Sequence, residues 1–198
     1  MTGDSPAAFM PAAPGPALVA RADPGSRRQE RRLVRQVQRG SAAALEELFR
    51  CEWPRAYRAA YLVVHDAAAA EDIAQEAFLA AVRAIDRFDR RRPFGPWIHR
   101  IAVNRAIDVT RAKSLRREVD AAAAESAEAL PDPPSAPLSE DLVSALGDLS
   151  PEHRAVVVLR YLFDYTPGEI AEALDMPRGT VNSRLRRALD RLGEVVER

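Results

Sequence analysis

Apolar residues recur at helical spacing along most of this chain, and short turn signals divide the pattern into segments. From Arg27 to Arg39, Leu33, Val34 and Val37 sit at helical intervals in a basic stretch. Gly40-Ser41 then stops this first helix and caps the next. From Ala42 to about Val64, the residues Leu45, Leu48, Phe49, Tyr57, Tyr61 and Leu62 fall on one inward side, and Pro54 predicts a kink near Trp53. His65-Asp66 breaks the pattern. A third helix, from about Ala68 to Arg87, points Ile73, Ala77, Leu79 and Val82 inward and clusters Glu71, Asp72, Gln75 and Glu76 near its start, where acids suit the helix dipole. A basic loop, Asp89-Arg90-Arg91-Arg92-Pro93, leads into a fourth helix from Phe94 or Pro96 to Arg116. Within that helix Trp97, Ile98, Ile101 and Ile107 are spaced as core residues.

Between Val119 and Leu138 the composition shifts to Ala, Glu, Ser and Pro, and Pro131, Pro133, Pro134 and Pro137 bar a helix, so this stretch reads as a flexible linker. Periodicity returns with Leu142, Val143, Leu146 and Leu149. Ser150-Pro151-Glu152 then caps a helix carrying Val156, Val157, Leu159 and Leu162. Thr166-Pro167-Gly168-Glu169 opens a short helix with the residues of a capping box, Asp175-Met176-Pro177 closes it, and an arginine-laden helix follows from Arg178. That order predicts a helix-turn-helix. Ile170, Ala171 and Leu174 form one apolar stripe, and Val181, Leu185, Ala188, Leu189 and Leu192 form the stripe that packs on it. No stretch alternates as a strand would, and no internal repeat is visible.

The expected fold is all-α. A Pro/Ala-rich, disordered tail (1–26) precedes a four-helix domain (27–117), a flexible linker (118–138) and a helix-turn-helix domain (139–198). At 198 residues the chain suits two small domains with modest cores. Its 29 basic and 29 acidic residues cancel, so nucleic-acid binding must come from local clusters. The last helix is such a cluster. Its outward positions, Arg178, Thr180, Asn182, Ser183, Arg184, Arg186, Arg187 and Arg191, are opposed by the single acid Asp190 before the helix end. Arginine can hold phosphates or the O6/N7 edge of guanine, and Asn182 can pair with adenine. A second cluster runs from Phe94 to Asp108, where aromatics alternate with arginines beside the Arg90–Arg92 loop, a composition suited to unstacked bases and a single-stranded backbone.

Linked together, the stretch Ala70 to Phe78, the stretch Phe88 to Asp108, the Pro-rich gap and the stretch Thr166 to Leu192 resemble bacterial RNA polymerase sigma factors of the extracytoplasmic-function (ECF) subgroup. The resemblance covers nearly everything from Arg28 onward. It implies an alternative sigma factor that binds core polymerase, recognises −35 and −10 promoter elements, melts the −10 region and directs transcription initiation. Under it, Asp72, Gln75, Glu76 and Phe78 would bind the clamp helices of the large polymerase subunit. Asp89, Arg90, Arg91, Arg92, Phe94, Trp97, Arg100 and Asn104 would serve the −10 element. Arg178, Thr180, Asn182, Ser183, Arg184, Arg186 and Arg187 would read the −35 duplex. The polymerase flap and an anti-sigma factor are further implied partners. Asn182 and Arg186 stand where many relatives carry other base-contacting residues, so the promoter sequence does not carry over.

Nothing in the sequence points to an enzyme. His65, His99 and His153 are scattered, and neither a Gly-rich phosphate loop nor a nucleophile elbow is present, so no catalytic residue, metal or cofactor is expected. The Glu71-Asp72-x-x-Gln75-Glu76 face lacks a partner histidine or a second acidic cluster and reads as a docking face rather than a metal site. Cys51 is the only cysteine, which suits a reducing cytoplasm. No apolar run approaches the roughly 18 residues of a membrane span, and the Ala17–Ala20 patch lacks the basic residue of a secretion signal, so no membrane insertion is expected. Met10 offers a second possible start. The rival reading, a stand-alone helix-turn-helix regulator, would bind palindromic duplex sites without polymerase.

Overall fold

Side-chain caps set most helix ends. The computed structural model describes residues 24–119 and 140–196. Its helices are α1 (Pro24–Val37), α2 (Ala42–Val64), α3 (Ala67–Ala84), α4 (Phe94–Val119), α5 (Glu140–Gly147), α6 (Pro151–Val157), α7 (Pro167–Ala173) and α8 (Arg178–Val196). Among the described residues there is no strand. Ser41 starts α2 by accepting the Ala44 N–H, and Asp66 starts α3 by accepting the Ala69 N–H at 3.1 Å. His65, which ends α2, takes the left-handed conformation at φ 53° and donates its backbone N–H to Tyr61 O. A 3₁₀ turn, Ile85–Arg87, follows α3, and α6 widens into a π-helical turn, Val158–Leu162.

Helix α4 is the axis of the N-terminal group, packing on α1, α2 and α3. Its residues Trp97, Ile98, Ile101, Ala102, Val103, Ala106 and Ile107 are all buried, and full burial of one large aliphatic side chain contributes about 1.5–3 kcal/mol. Facing it, α2 and α3 bury mostly alanines, including Ala56, Ala59, Ala60, Ala70, Ala74, Ala77 and Ala81. Small side chains at these crossings let the helix axes come close. In the C-terminal group, α6 and α7 pack on α8 around Val156, Ile170, Val181, Leu185 and Ala188.

The two helical groups are docked, and their buried residues form one continuous cluster. Arg154 of α6 is central to this junction. Buried, it donates through Nη1 to Val63 O at 2.6 Å and through Nε to Leu149 O at 2.9 Å. Val63 lies in the last turn of α2, where carbonyls have no helical partner and the helix dipole is negative, so a cation satisfies both. Around it, Arg111 of α4 pairs with Glu152 of α6 at 2.8 Å, and Asn104 of α4 donates to Ala173 O of α7 at 3.0 Å. The His99 ring of α4 lies 4.4 Å from the Phe163 ring.

Several details depart from the sequence pattern. Phe49, Leu79 and Val82, expected inside, are 40%, 48% and 38% exposed. On α3 the inward stripe is Ala70, Ile73, Ala74, Ala77, Phe78 and Ala81, where alanine leaves little hydrophobic signal to mark the face. Leu189 on α8 is likewise half-exposed. α2 runs through Pro54 as a single helix. α1 begins three residues before the expected start, and α4 extends to Val119, just past the expected domain end. The remainder of the expected tail (1–23) and most of the expected linker (120–138) lie outside the described residues.

The docked junction has a pH dependence. His65 packs close to Gly147 of α5. Burial, and then the Arg154 charge, push its pKa from 6.5 down to about 4. The folded chain keeps this imidazole neutral while the unfolded chain protonates it, so its contribution is whole above pH 6.5 and is lost as pH falls toward 4. Burial lowers His99 in the same direction, with Glu52 opposing. Glu30, raised by burial, works in the opposite sense. His65→Asn tolerates the left-handed backbone and carries no charge. Thermal melts across this pH range are expected to show a shallower fall in Tm for the variant than for the parent; equal slopes would mean that His65 does not titrate on unfolding.

Candidate nucleic-acid interface

The helix-turn-helix is built as its residues require. Thr166 Oγ1 accepts the Glu169 N–H at 3.3 Å while the Thr166 N–H donates to Glu169 Oε2 at 2.6 Å, a complete capping box with Pro167 at the first helical position. Asp175 takes the turn in the left-handed region at φ 48°, and the Met176 N–H closes it onto Ala171 O at 3.0 Å. Helix α8 then buries Val181, Leu185 and Ala188 and turns Arg178, Asn182, Arg186, Arg187 and Arg191 to solvent. Arg178, Asn182 and Arg186 are four residues apart, so their donors rise along the helix in steps of about 6 Å. Thr180, Ser183 and Arg184 are half-buried: Ser183 Oγ donates to Thr180 O at 2.9 Å, and Arg184 reaches Met176 Sδ at 3.6 Å.

The basic loop between α3 and α4 is ordered by Asp89. Its Oδ1 accepts the Arg91 N–H at 3.0 Å and Arg91 Nε at 3.2 Å, and its carbonyl accepts the Arg92 N–H at 2.9 Å. The Arg91 N–H, then the arginine charges, hold the Asp89 carboxyl below the usual carboxylate range. Helix α1 anchors both ends of this loop. Gln38 Nε2 donates to Ile85 O at 2.7 Å and to Phe88 O at 3.0 Å, Glu30 accepts the Phe94 N–H, and Arg31 donates to Arg91 O at 3.3 Å. Arg90 and Arg91 are left in solvent, and Arg92 is half-buried. The sequence motifs do not single out Glu30, Arg31 or Gln38. Their one signal is register: Glu30 and Gln38 lie four residues either side of buried Val34.

Phe94 and Trp97 do not face solvent. They are buried and pack with Phe88, the Trp97 ring 4.6 Å from that of Phe88 and 5.6 Å from that of Phe94. The expectation of direct base contact is revised for both, because the first turn of α4 lies inside the fold and carries these rings into the core beneath the loop. Gly95 belongs to the same packing, since a Cβ there would meet Glu52 Oε2 at 2.9 Å. Arg100 and Asn104 lie one and two turns further along α4. Both face the C-terminal group: Asn104 bonds Ala173 O, and Arg100, 9% exposed, feels the charges of Asp175 and Glu172.

On α3, Asp72, Gln75 and Glu76 are exposed, with Leu79 and Val82 continuing the same outer face. Glu76 is held by Arg105 of α4 at 2.6 Å. Phe78 is 4% exposed and packs with Phe49 and Trp53 of α2, so its expected contact with a partner is revised. The exposed member of that cluster is Phe49. No group of three or more potential metal ligands occurs among the described residues, and none of the described helices is long and apolar enough to cross a membrane.

Residues 48–116 match the model of Sigma-70 region 2, and residues 139–192 match that of Sigma-70 region 4. The ECF RNA polymerase sigma factor SigW of Bacillus subtilis is 33% identical over 172 residues, covering 80% of this chain and 92% of that protein. The chain belongs to the ECF sigma factor family. RNA polymerase sigma factor CarQ of Myxococcus xanthus is 33% identical over 162 residues, covering 79% of this chain and 91% of the relative. Among solved structures, CnrH in complex with the cytosolic domain of CnrY aligns with a TM-score of 0.62 at 26% identity, covering 85% of this chain and 97% of that one. The sigma factor RpoE of Bartonella quintana, solved with the anti-sigma factor NepR, shares the fold, with a TM-score of 0.65 at 22% identity over 77% of this chain and 96% of that one. This ECF sigma factor directs transcription initiation; the loop and α4 fall in region 2, and α5 to α8 coincide closely with region 4.

Helix α1 precedes the region 2 match, yet it holds the region 2 loop. Gln38→Ala removes both anchoring bonds and leaves two carbonyls without these donors, at a cost of about 1–3 kcal/mol. Limited trypsin digestion should then cut faster at Arg90–Arg92 in the variant than in the parent. Equal cleavage rates in a folded variant would show that α1 does not restrain the loop.

Proposed function

We propose that region 4 of this sigma factor reads a −35 duplex mainly through Arg178, Asn182, Arg186 and Arg187, with Thr180, Ser183 and Arg184 shaping the helix start. The observation that carries this reading is the exposed donor set on α8, which follows a fully capped helix and turn. Region 2 opens the −10 element. Asp89 shapes the loop, Arg90, Arg91 and Arg92 hold the strand that melts, and Arg100 and Asn104 steady its backbone. Phe94 and Trp97 support this surface from below. A basic loop beside a rigid helix suits a melted strand, whose phosphates and bases are both accessible.

Core polymerase docks on α3 through Asp72, Gln75 and Glu76, joined by the exposed apolar residues Phe49, Leu79 and Val82. A mixed acidic and apolar face suits the clamp helices of the large subunit, and region 4 would meet the flap. An anti-sigma factor is a further partner, supported by the relatives CnrH and RpoE, solved with CnrY and with the anti-sigma factor NepR. The site of action is the cytoplasm, where polymerase and promoters are found.

Run-off transcription with core polymerase, with and without the chain, tests the whole reading; a promoter used equally in both would sink it. Arg186→Ala and Arg187→Ala should each weaken binding to a matched −35 site, since an arginine that reads a base there supplies about 1–3 kcal/mol of discrimination. Alanine at Arg90, Arg91 and Arg92 together should impair opening on duplex promoters and be largely rescued on templates mismatched across the −10 region. Permanganate reactivity of unpaired thymines measures that opening directly. Normal reactivity in a folded triple variant would take the loop out of the mechanism. Charge reversal at Asp72 with Gln75→Ala should reduce co-purification with core polymerase and spare duplex binding.

A further inference from the structure

The polar edge of α4 is occupied by the chain itself. Asn104 Nδ2 donates to Ala173 O at 3.0 Å, at the end of α7. Arg100, one turn earlier on α4, lies almost fully covered, with Asp175 and Glu172 supplying the negative charge around it. These two carboxylates and a carbonyl flank the turn of the helix-turn-helix. A guanidinium and an amide take the same partners from a phosphodiester backbone: anionic oxygens and a neutral acceptor. The corner of region 4 thus presents to α4 the chemistry of a nucleic-acid strand.

We infer that in the free sigma factor Glu172, Asp175 and the Ala173 carbonyl occupy the face of α4 that holds the melted strand, so the closed chain engages duplex DNA but not single strands. The inference rests on the assignment of Arg100 and Asn104 to that strand. Contacts elsewhere hold the arrangement in register: Arg154 on Val63 O, Arg111 on Glu152, and Phe163 against His99. In the same arrangement Arg178, Asn182, Arg186 and Arg187 on α8 remain exposed. Duplex reading and strand holding are therefore separated within one conformation. Opening of the junction uncovers the second without altering the first.

The full chain tests this directly. Glu172→Lys combined with Asp175→Asn replaces attraction to Arg100 by repulsion, and asparagine tolerates the left-handed backbone at position 175. Arg111→Glu, at the exposed rim, is an independent opening variant should the first fail to fold. Dyes on Cys51 and on Gly193→Cys, both exposed, report separation of the two domains by energy transfer. Binding is measured to labelled, random-sequence short DNA, as single strands and as duplex. The opened chain should show a longer dye distance and tighter single-strand binding by about tenfold, the gain expected if about one closed chain in ten is competent. Duplex binding should be unchanged. Dyes that stay close in both folded variants overturn the inference, as does separation with no gain in strand binding. A parent chain that already binds strands as tightly as the opened one, and loses them on Arg100→Ala, leaves the strand assignment standing and overturns the occlusion. Strand binding by the opened chain that ignores Arg100→Ala brings down the assignment itself.

Discussion

The arrangement depends on one buried guanidinium. Arg154 leaves α6 to bond the last turn of α2 and the carbonyl of Leu149, joining the two domains and tying the start of α6 to the residue before its cap. An isolated buried cation is costly, and only bonded partners make it tolerable. Here both partners are main-chain carbonyls of turns that could not otherwise be satisfied within their own helices. The bond therefore works in both directions: it settles the cation, and it finishes the C-terminal end of α2. Replacing it by an apolar residue would leave that helix end and the domain junction incomplete together, whereas an ordinary surface ion pair such as Arg111–Glu152 contributes little by itself.

A second constraint is the double use of α4. One side fills the centre of region 2 with Trp97, Ile98, Ile101 and Ile107, and the opposite edge carries Arg100 and Asn104. Because the rigid core side fixes rotation and height, the polar edge is held to the accuracy of a packed interior. The loop before it receives the same treatment from α1, through bonds that link residues 47 to 64 positions apart. Neither surface relies on its own sequence for its shape.

Much of this was legible in the sequence. The helix-turn-helix could be read because its chemistry is local: the capping box, the proline at the first helical position and the left-handed Asp175 all act within a few residues. Helix number and order followed from periodicity for the same reason. Facing was less readable where alanine replaced larger side chains, as on α3, and Phe78 and Leu79 exchanged expected roles by a single step around the helix. The bonds of Gln38, Glu30, Asn104 and Arg154 were invisible to motif reading, since each joins elements distant in the chain. A general clue does remain in the register. Glu30 and Gln38 flank Val34 at intervals of four, and Glu52 continues the stripe of Leu48 and Ala56. A polar residue placed where the pattern calls for an apolar one marks a partner inside the fold.

Closure of the α4 edge has a consequence for life among other nucleic acids. Cells hold far more single-stranded RNA than melted promoter, and a basic strand-binding edge left open would be drawn to any of it with little regard for sequence. Folding the acidic corner of the chain's own reader over that edge makes the unengaged molecule indifferent to transcripts. Its solvent-facing arginines on α8 still reach for duplexes, so the same covalent chain is selective about when it is adhesive as well as about where.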